Sequence, residues 1–388
     1  MQKAITTIIW LGMDVHKKTI SACWVKGDSQ EYEEAVLPNT VSAVRKLGRR
    51  LMKEGEIRAC YEAGPCGYEV KRLLEGMGVR CDVIAPSLIP SRAGDRVKTD
   101  RRDARKLTRL NRAGELTAIG VPTPEQEAVR DLVRCREDVV QDGTRSWHRL
   151  VKFLLRHGRV WHQTKSGTKR HWEWLRKQEF EDPHEERVYR EYMAQVDFQR
   201  GRLAGIEMEV NALAQQEPWK PWVERLRCMR GIGVVTAMTL LAELFDFRRF
   251  RPQKLGAFVG LVPTIHASGE KEHRGSITHA GNAHVRAVLV EAAWHSRHKP
   301  QLLSAIRRRA PGQPEEVYAL VMKAQERLHR KFHRLLRRGK LRTVAVVAVA
   351  RELACFLWAL MTLDQGQPDR TPAKKTFRLT GRMARTAA

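Results

Sequence analysis

Residues 7–27, TIIWLGMDVHKKTISACWVKG, decide the fold of the first part of the chain. TIIWLGMDV is a mostly apolar run bounded by polar residues, and TISACWVKG alternates between apolar and polar side chains as a strand does. Two such runs in close succession predict a β-hairpin. The first strand of this hairpin ends at Asp14, which places a carboxylate near the edge of a sheet.

The residues that follow extend the hairpin into a mixed α/β sheet. A third strand is expected around residues 31–36, and helical stretches near residues 41–53 and 67–77 flank the strand IRACYEA. RCDVIAP supplies a further strand before a basic segment. Three sequential strands followed by helix, strand, helix and strand is the order expected of an RNase H-like sheet.

The composition points to a polyanionic partner. The chain has 388 residues and a formal net charge of +27, which for a soluble protein usually means nucleic acid, with a membrane surface as the weaker option. The longest apolar run, residues 343–363, is interrupted by Arg351 and Glu352 and therefore predicts a buried helix rather than a membrane span. We find no secretory signal at the start. Seven cysteines without a C-x-x-C pair argue against a disulfide framework or a zinc module and fit a reducing cytoplasm.

The pattern of the chain changes after residue 123. Between residues 124 and 218 strand signals are absent, and two helical stretches with apolar residues about 3.5 positions apart are joined by a Trp-rich, basic segment. We predict an antiparallel coiled hairpin that supports oligomerisation; the alternative is two amphipathic helices in an ordinary core. The expected domains are therefore an α/β domain (1–123), the coiled hairpin (124–218), a mostly helical domain (219–363) and a basic flexible tail (364–388).

Two features of the third domain suggest phosphate binding. Gly231-Ile232-Gly233, between two helical patterns, is similar to the turn of helix-hairpin-helix modules, whose backbone N–H groups bind a phosphate. Any tight turn between helices would also accept this pattern. Residues 297–342 hold 14 lysines and arginines against 3 glutamates, and a solvated face would normally mix the two signs. This stretch therefore predicts a surface that follows a phosphate backbone.

Four acids stand where a metal site would need them. Asp14 ends the first strand, Glu62 ends IRACYEA, and the basic stretch VKTDRRDARKLTRL, residues 97–110, holds Asp100 and Asp103. On a helix, a spacing of three places these two carboxylates on one face. Four oxygen donors around one edge of a sheet would suit one or two Mg²⁺ ions. The alternatives are a solvated helix with Asp–Arg pairs and acids that only terminate strands.

Three ordered blocks of sequence resemble one family. The blocks are LGMDVHK with YEAGPCGYE; KTDRRDARKLTRL; and MRGIGVVTAMTLLAEL followed by FRRFRPQKLGAFVGLVPTIHASGEKEHRGSITHAGNAHVRAVLVEAAW. They resemble the bridge-RNA-guided insertion-sequence transposases, or recombinases, of the IS-one-ten and IS-eleven-eleven groups. The resemblance implies a RuvC-like domain with a DEDD set of acids, and a C-terminal transposase domain with a catalytic serine.

The resemblance also assigns residues to roles. The family's four acids fall by position on Asp14, Glu62, Asp100 and Asp103, as Mg²⁺ ligands and catalytic residues, and its serine falls on Ser268. A serine hydroxyl can attack a DNA phosphodiester and conserve its energy as a phosphoserine linkage. Ser276 and Thr278 are neighbouring hydroxyls that we expect at most to bind phosphate. Contacts with nucleic acid are expected from Arg101, Arg102, Arg105, Gly231, Gly233, Lys271, Arg274 and Arg286. For the three arginines beside the acids, a purely structural pairing role is the alternative.

The resemblance implies a complete activity and its partners. It implies a recombinase that cuts and rejoins donor and target double-stranded DNA, guided by a structured RNA, as a homo-oligomer of two or four chains in the cytoplasm beside the nucleoid, without a membrane. One alternative is a metal-dependent nuclease of Holliday junctions, for which Ser268 would be dispensable. The other is a non-enzymatic nucleic-acid-binding protein, for which the four acids would be replaceable.

Overall fold

In the computed structural model, the described residues are 7–90, 99–163, 165–268 and 271–363, without the side chains of residues 266–272 and 274. The predicted tail, residues 364–388, lies outside them. The chain divides into two compact units, Met1–Thr123 and Pro124–Ala388, and each unit has its own hydrophobic core.

The first unit is the mixed α/β domain that its sequence predicts. Its elements are β1 (Ile8–Val15), β2 (Thr19–Lys26), β3 (Glu33–Pro38), α1 (Val41–Met52), β4 (Glu56–Glu62), α2 (Glu69–Glu75), β5 (Arg80–Ile84) and α3 (Asp100–Arg112). The sheet order is β3-β2-β1-β4-β5. The first three strands form an antiparallel meander, whereas β4 and β5 run parallel to β1. The mixed sheet expected from the sequence is thus confirmed.

The central strand β1 is covered on both faces of the sheet. Ile9, Leu11 and Met13 belong to a core that also holds buried side chains of α1 and α2, such as Leu51 and Leu74. On the other face, α3 packs against β1 and β2. A strand buried on both faces needs apolar residues at nearly every position, which explains the near-continuous apolar run of β1.

Gly12 is the point at which α3 comes closest to the sheet. A Cβ atom on Gly12 would lie 2.5 Å from the carbonyl oxygen of Ala104 and 2.5 Å from the backbone nitrogen of Thr108. The Gly12 N–H donates a hydrogen bond to Thr108 Oγ1 at 3.0 Å, and this hydroxyl lies 2.7 Å from the carbonyl oxygen of Cys23 on β2. The missing side chain of Gly12 therefore lets α3 bond directly to two strands, and this contact fixes the position of the helix on the sheet.

The second unit is mostly helical, as predicted. Its elements are α4 (Pro124–Arg156), α5 (Lys169–Arg176), α6 (Pro183–Leu213), α7 (Lys220–Arg227), α8 (Val234–Leu244), α9 (Pro252–Phe258), β6 (Pro263–Ser268), β7 (Lys271–Ile277), α10 (Ala283–Ala293), α11 (Leu303–Arg309), α12 (Glu315–Arg337) and α13 (Arg342–Thr362). The sequence analysis did not anticipate the antiparallel hairpin of β6 and β7. Both strands are short and largely polar, so they lack the alternation on which a strand prediction depends.

The long helices α4 and α6 pack against each other and run antiparallel. Val133 near the start of α4 shares a core cluster with Val210 near the end of α6. Towards the other end of the pair, the rings of Phe153 and Tyr192 lie 5.6 Å apart in a second, aromatic cluster. A role of this pair as an oligomerising coiled coil stays a prediction.

The apolar helix α13 lies in the core of the second unit. Among the described residues, it is the one helix long and apolar enough to cross a membrane, and half of its most apolar window is buried inside the protein. It packs against α7, α9, α10 and α12, with Val346, Val349, Leu353 and Leu357 fully enclosed. This packing agrees with the buried helix that the sequence predicts.

Candidate functional site

The acids at the ends of two neighbouring parallel strands come to the same edge of the sheet. Asp14 lies near the C-terminal end of β1, and Glu62 is the last residue of β4. Met13 pairs with Tyr61 in the register of these strands, so Asp14 and Glu62 each follow a paired residue by one position. The parallel direction of β1 and β4 is what brings both carboxylates to one edge.

The first turn of α3 brings the other two acids to this edge. Thr99 caps the helix by accepting a hydrogen bond from the backbone N–H of Arg102, and Asp100 and Asp103 follow in the first turn. The positive end of the helix dipole favours carboxylates at these positions. All four predicted acids line one open cleft of about 970 Å³, together with residues of the neighbouring turns such as Asn39 and Gly64.

His16 is a residue of this cleft that the sequence analysis did not single out. Its Nε2 atom lies 3.2 Å from Asp14 Oδ2 and 3.5 Å from Asp100 Oδ1, and the potential ligand atoms of these three residues all lie within 4.8 Å of one another. His16 follows Asp14 by two positions in LGMDVHK. Its place in that motif was the available signal, but nothing in the sequence shows that its ring turns towards Asp100.

The electrostatics of the cleft favour a bound cation. Burial raises the pKa of the Asp14 carboxyl, the nearby His16 lowers it, and the negative charges of Asp100 and Asp103 raise it further. The ionised form of Asp14 is therefore disfavoured by its surroundings when no cation is present. A divalent metal ion would offset the repulsion among these carboxylates, whose hard oxygen atoms are the donors that such ions take in proteins. The residues present thus fit a divalent metal site.

The three arginines of α3 differ in their surroundings. Arg101, Arg102 and Arg105 are all exposed on the helix. The guanidinium of Arg105 lies 4.6 Å from the centroid of the Tyr32 ring, a cation–π contact within the domain. This contact favours the structural alternative for Arg105, whereas the phosphate-binding roles of Arg101 and Arg102 stay predictions.

The predicted serine lies on the β6–β7 hairpin. Ser268 is the last residue of β6 and pairs through its backbone with Lys271, the first residue of β7. The side chains of Ser268, Lys271 and Arg274 lie outside the described residues. The hairpin nevertheless places the backbone of the predicted nucleophile and of one predicted charge-stabilising lysine directly opposite each other.

Arg286 bonds to the backbone of the loop that joins β7 to α10. Arg286 Nη1 donates to the carbonyl oxygens of Val259, His279 and Ala280 at 3.0–3.2 Å. Gly281 has a φ of +68°, and a Cβ on it would lie 1.8 Å from the Phe258 carbonyl oxygen. Arg286, for which we predicted a contact with nucleic acid, thus fixes the loop that connects β7 to α10, and the predicted contact stays a prediction.

The two glycines of the predicted phosphate-binding turn have different surroundings. Gly231 has a φ of +85°, and a Cβ on it would lie 2.7 Å from the Ala292 carbonyl oxygen, so close packing explains this glycine. Gly233 is exposed at the N-terminus of α8. An exposed helix N-terminus is suited to an anion. Phosphate binding at this turn stays a prediction.

A buried ion-pair network that the sequence analysis missed holds this region to α4. Glu243 on α8 is 1% exposed and accepts hydrogen bonds from both Nε and Nη2 of Arg134, at 2.6 and 2.9 Å. It also accepts a bond of 2.7 Å from Asn282, the N-cap residue of α10. Burial alone would raise the pKa of Glu243, but the bonds from Arg134 and Asn282 outweigh it and hold the pKa below its usual value. A lone acid in the apolar helix VVTAMTLLAEL was the available signal.

Known proteins match this chain in both units. A model of the DEDD transposases of IS110 elements matches residues 11–158, and the model described as "Transposase IS116/IS110/IS902 family" matches residues 223–307. The first range contains all four acids of the cleft, and the second contains the β6–β7 hairpin. The acidic cleft and the hairpin that carries Ser268 therefore both lie within matched regions.

Several transposases are similar over most of their length. The y4qE protein of Sinorhizobium fredii, described as a transposase, is 38% identical over 90% of this chain and 88% of the relative. The transposase for insertion sequence element IS1533 of Leptospira borgpetersenii is 35% identical over 84% of this chain and 96% of its own. The transposase for IS1111A of Coxiella burnetii is 24% identical over 94% and 92% of the two chains.

Proposed function

The chain belongs to the IS116/IS110/IS902 family of transposases, and on that premise we propose that it cuts and rejoins DNA with a serine nucleophile and a divalent metal ion, directed by a structured RNA. The single observation that carries the metal part is the cleft that Asp14, Glu62, Asp100 and Asp103 line, in which Asp14 and Asp100 lie close enough to share an ion with His16. When bound there, Mg²⁺ would polarise a scissile phosphate. Membership of this family also supports a DNA substrate, on which both the acidic cleft and the hairpin that carries Ser268 would act.

The proposed chemistry conserves the phosphodiester energy. Ser268 Oγ attacks the phosphorus of a DNA phosphodiester, one P–O bond to a deoxyribose oxygen breaks, and the serine proton leaves with the departing hydroxyl or the surrounding water. In rejoining, a deoxyribose hydroxyl of another strand attacks the phosphoserine and releases Ser268. Lys271, close to Ser268 across the hairpin, would stabilise the charge that develops on the phosphorane oxygens. Arg274 would act in the same way.

The guide RNA is proposed from the family resemblance and from charge. Residues 297–342 carry 14 basic against 3 acidic residues, and α11 and α12 present many of them. Such a surface attracts RNA and DNA backbones alike. The exposed Gly233 at the start of α8 and the cations of α3 would add phosphate contacts. The α4–α6 pair would join chains into an oligomer. The protein would act in the cytoplasm, where bacterial DNA lies.

One experiment tests whether RNA guides the recombination. The full chain is expressed with its flanking non-coding DNA, the copurified RNA is sequenced, and recombination of donor and target plasmids is measured with and without RNase treatment. We expect a single structured RNA and loss of recombination when it is digested. Recombination at full rate by RNA-free protein would refute guidance.

A metal-dependent Holliday-junction nuclease is the second candidate, because the acidic cleft needs no residue of the second unit. The Ser268→Ala protein separates the two functions. If the chain is a recombinase, this variant loses strand exchange and covalent attachment to DNA. If it cleaves four-way junctions as fast as the wild type does, the nuclease function stands instead.

A further inference from the structure

We propose that His16 is a nitrogen ligand of the metal bound in the acidic cleft, and that it makes the site prefer Mn²⁺ to Mg²⁺. The proposal rests on the proposed function in one respect, namely that the cleft binds a divalent metal. His16 Nε2 lies 3.2 Å from one oxygen of Asp14 and 3.5 Å from one oxygen of Asp100, with all three potential ligand atoms within 4.8 Å of one another. Ligand atoms that share a metal at about 2.0–2.2 Å are separated by distances of this order.

The backbone of His16 is held at the edge of the cleft by two hydrogen bonds of its own. The His16 N–H donates to the Thr19 carbonyl oxygen at 2.9 Å, which closes the turn between β1 and β2. The His16 carbonyl oxygen accepts a bond of 2.9 Å from Asn39 Nδ2, which ties the turn to the end of β3. A ligand whose backbone is fixed in this way pays little ordering entropy when the metal binds.

The chemistry of the donor set gives the preference. Mg²⁺ prefers oxygen ligands in a strict octahedron and gives up its waters reluctantly. A neutral imidazole suits transition ions and binds them more strongly than it binds Mg²⁺. The alternative is that His16 is only an ion-pair partner that occupies the place of the cation. Its removal would then strengthen the binding of both metals alike.

Metal binding to the full-length chain, stripped of metal with a chelator, decides between these roles. Isothermal titration with MnCl₂ and with MgCl₂ is compared for the wild type, His16→Asn and His16→Ala, with His148→Asn as the control because His148 is an exposed histidine of α4. We expect both His16 variants to bind Mn²⁺ roughly tenfold more weakly, equivalent to about 1.4 kcal/mol, and to bind Mg²⁺ within about twofold of the wild type. Pulsed electron paramagnetic resonance of bound Mn²⁺ should show coupling to one histidine nitrogen that both variants lose.

Each other outcome has a definite meaning. Equal changes for the two metals, or a Mn²⁺ spectrum without nitrogen coupling in the wild type, would overturn the role of His16 while leaving the metal site intact. If the wild type binds neither metal, the proposed metal-dependent function fails together with this inference.

From a different observation, the charge of α1, we infer that this helix binds the backbone of the duplex DNA that enters the cleft. Arg45, Lys46 and Arg49 lie exposed on α1, and Lys53 is its C-terminal cap. The opposite side of the helix is buried through Val44 and Leu51. No acid occurs in VSAVRKLGRRLM, so like charges repel at the i,i+4 spacing along the exposed face.

Among the described residues, Arg50 has an acidic partner, whereas the other exposed cations of α1 form no ion pair. Arg50 binds Glu33 at 3.3 Å and lies 5.5 Å from the centroid of the Trp24 ring. Within residues 7–90 and the other described ranges, no ion pair involves Arg45, Lys46, Arg49 or Lys53. A polyanion would relieve their mutual repulsion.

The position of α1 connects its cations to the cleft. Because β1 and β3 run in the same direction, β3 ends at the edge that carries Asp14. Asn39 follows β3, lines the acidic cleft, and is succeeded at once by the capped start of α1. The helix therefore begins at the rim of the cleft, and its basic residues, from Arg45 onwards, lie further along it. A DNA strand whose phosphate lies in the cleft would continue along this face.

The salt dependence of binding tests this surface. The triple variant Arg45→Gln/Arg49→Gln/Lys53→Gln is compared with Arg187→Gln/Arg190→Gln/Arg200→Gln, which removes equal charge from arginines of α6 that pair with neighbouring acids. For duplex DNA, the slope of log affinity against log salt should fall by roughly 2–3 in the first variant and by less than about 1 in the second. Titration with Mn²⁺ should be unchanged in both. If the slope of the first variant falls for duplex RNA but not for duplex DNA, the basic face of α1 binds RNA instead. If the slope for duplex DNA changes equally in the two triple variants, the inference is refuted.

Discussion

The backbone N–H of Gly12 donates a hydrogen bond of 3.0 Å to the Thr108 hydroxyl, at a point where a Cβ atom on Gly12 would lie 2.5 Å from the Thr108 nitrogen. This contact fixes α3 on β1 and so sets the distance between acids that are far apart in sequence. Asp100 and Asp103 lie in the first turn of the same helix, eight and five residues before Thr108. The geometry of the cleft thus depends on a glycine that does not line it.

Gly12→Ala should therefore displace α3 and damage the cleft together with the fold. We expect a loss of about 2 kcal/mol in the free energy of unfolding, because the new methyl group meets backbone atoms that cannot move separately. Divalent-metal affinity should fall as well. Gly201→Ala is the matched control, since nothing lies within 4 Å of a Cβ there and alanine is the better helix former. Urea denaturation and metal titration measure both effects, and unchanged values for Gly12→Ala would contradict the role of this contact.

Asp14→Asn should separate stability from metal binding. Burial raises the pKa of Asp14, so the folded protein holds its proton more tightly than the unfolded chain does. The charge consequently destabilises the metal-free fold above the pKa, and this cost disappears as the pH falls through the folded pKa. At neutral pH and without metal, the variant should melt at a temperature equal to or above that of the wild type. Added Mg²⁺ should raise the melting temperature of the wild type only.

Glu243→Gln should be among the most destabilising single changes in the second unit. It leaves the guanidinium of Arg130, which is 10% exposed and lies 3.8 Å from Glu243, without this compensating charge, and about 3 kcal/mol is typical of such a loss. Glu191→Gln, which breaks an exposed pair with Arg187 on α6, should cost less than about 0.5 kcal/mol. Denaturation in urea compares the two variants, and similar small losses in both would be unexpected.

The stability of the second unit should also depend on pH through Glu243. Because the folded pKa of Glu243 lies below its ordinary value of 4.5, the contribution of its charge is complete above that value. It is lost as the pH falls through the folded pKa. Between pH 7 and pH 3, the free energy of unfolding should therefore fall more in the wild type than in Glu243→Gln.

Ser268→Ala should bind DNA and form no covalent adduct with it. The phosphoserine is the only linkage that the proposed chemistry forms between protein and DNA, so denaturing gels after incubation with labelled substrate reveal it directly. Ser276→Ala and Thr278→Ala, at hydroxyls of the same hairpin and the loop after it, should form the adduct at the rate of the wild type. An adduct that survives Ser268→Ala and disappears in Ser276→Ala would move the nucleophile to Ser276.

Mixing two inactive variants would show whether chains share their sites. Ser268→Ala and Asp14→Ala are each expected to be inactive, and a mixed oligomer should recover activity if the acids of one chain act with the serine of another. Size-exclusion chromatography with two affinity tags confirms that mixed oligomers are present. Activity no higher than that of either variant alone would indicate sites built within one chain.

The strands of the first unit could be predicted because each shows a local pattern of apolar residues. The apolar run of β1 and the meander after it follow from alternation, and parallel strands carry Asp14 and Glu62 to one edge. His16 was missed because its contact with Asp100 joins residues 84 positions apart through the docking of α3. Tertiary contacts of this kind have no period.

The sequence also does not show which arginines are bound within the fold. A count of basic residues cannot distinguish Arg286, which donates to three backbone carbonyl oxygens, from an arginine that faces solvent. Arg105 lies over the ring of Tyr32, which is 73 positions away in the chain. The polar strands β6 and β7 were likewise invisible, because their pairing and not their composition makes them strands.

The network at Glu243 anchors one end of α4, the longest helix among the described residues. The 33 residues of α4 span roughly 50 Å, and only its first third reaches Glu243, through Arg130 and Arg134. Glu243 in turn accepts a hydrogen bond from Asn282, the N-cap of α10, which follows the loop after β7. The first third of α4 is thus anchored through Glu243 to the start of α10, whereas its last third packs among aromatic rings such as those of Phe180 and Tyr192. Loss of the anchor at Glu243 would therefore loosen the start of α4 and the start of α10 together, while the aromatic end of the helix keeps its own packing.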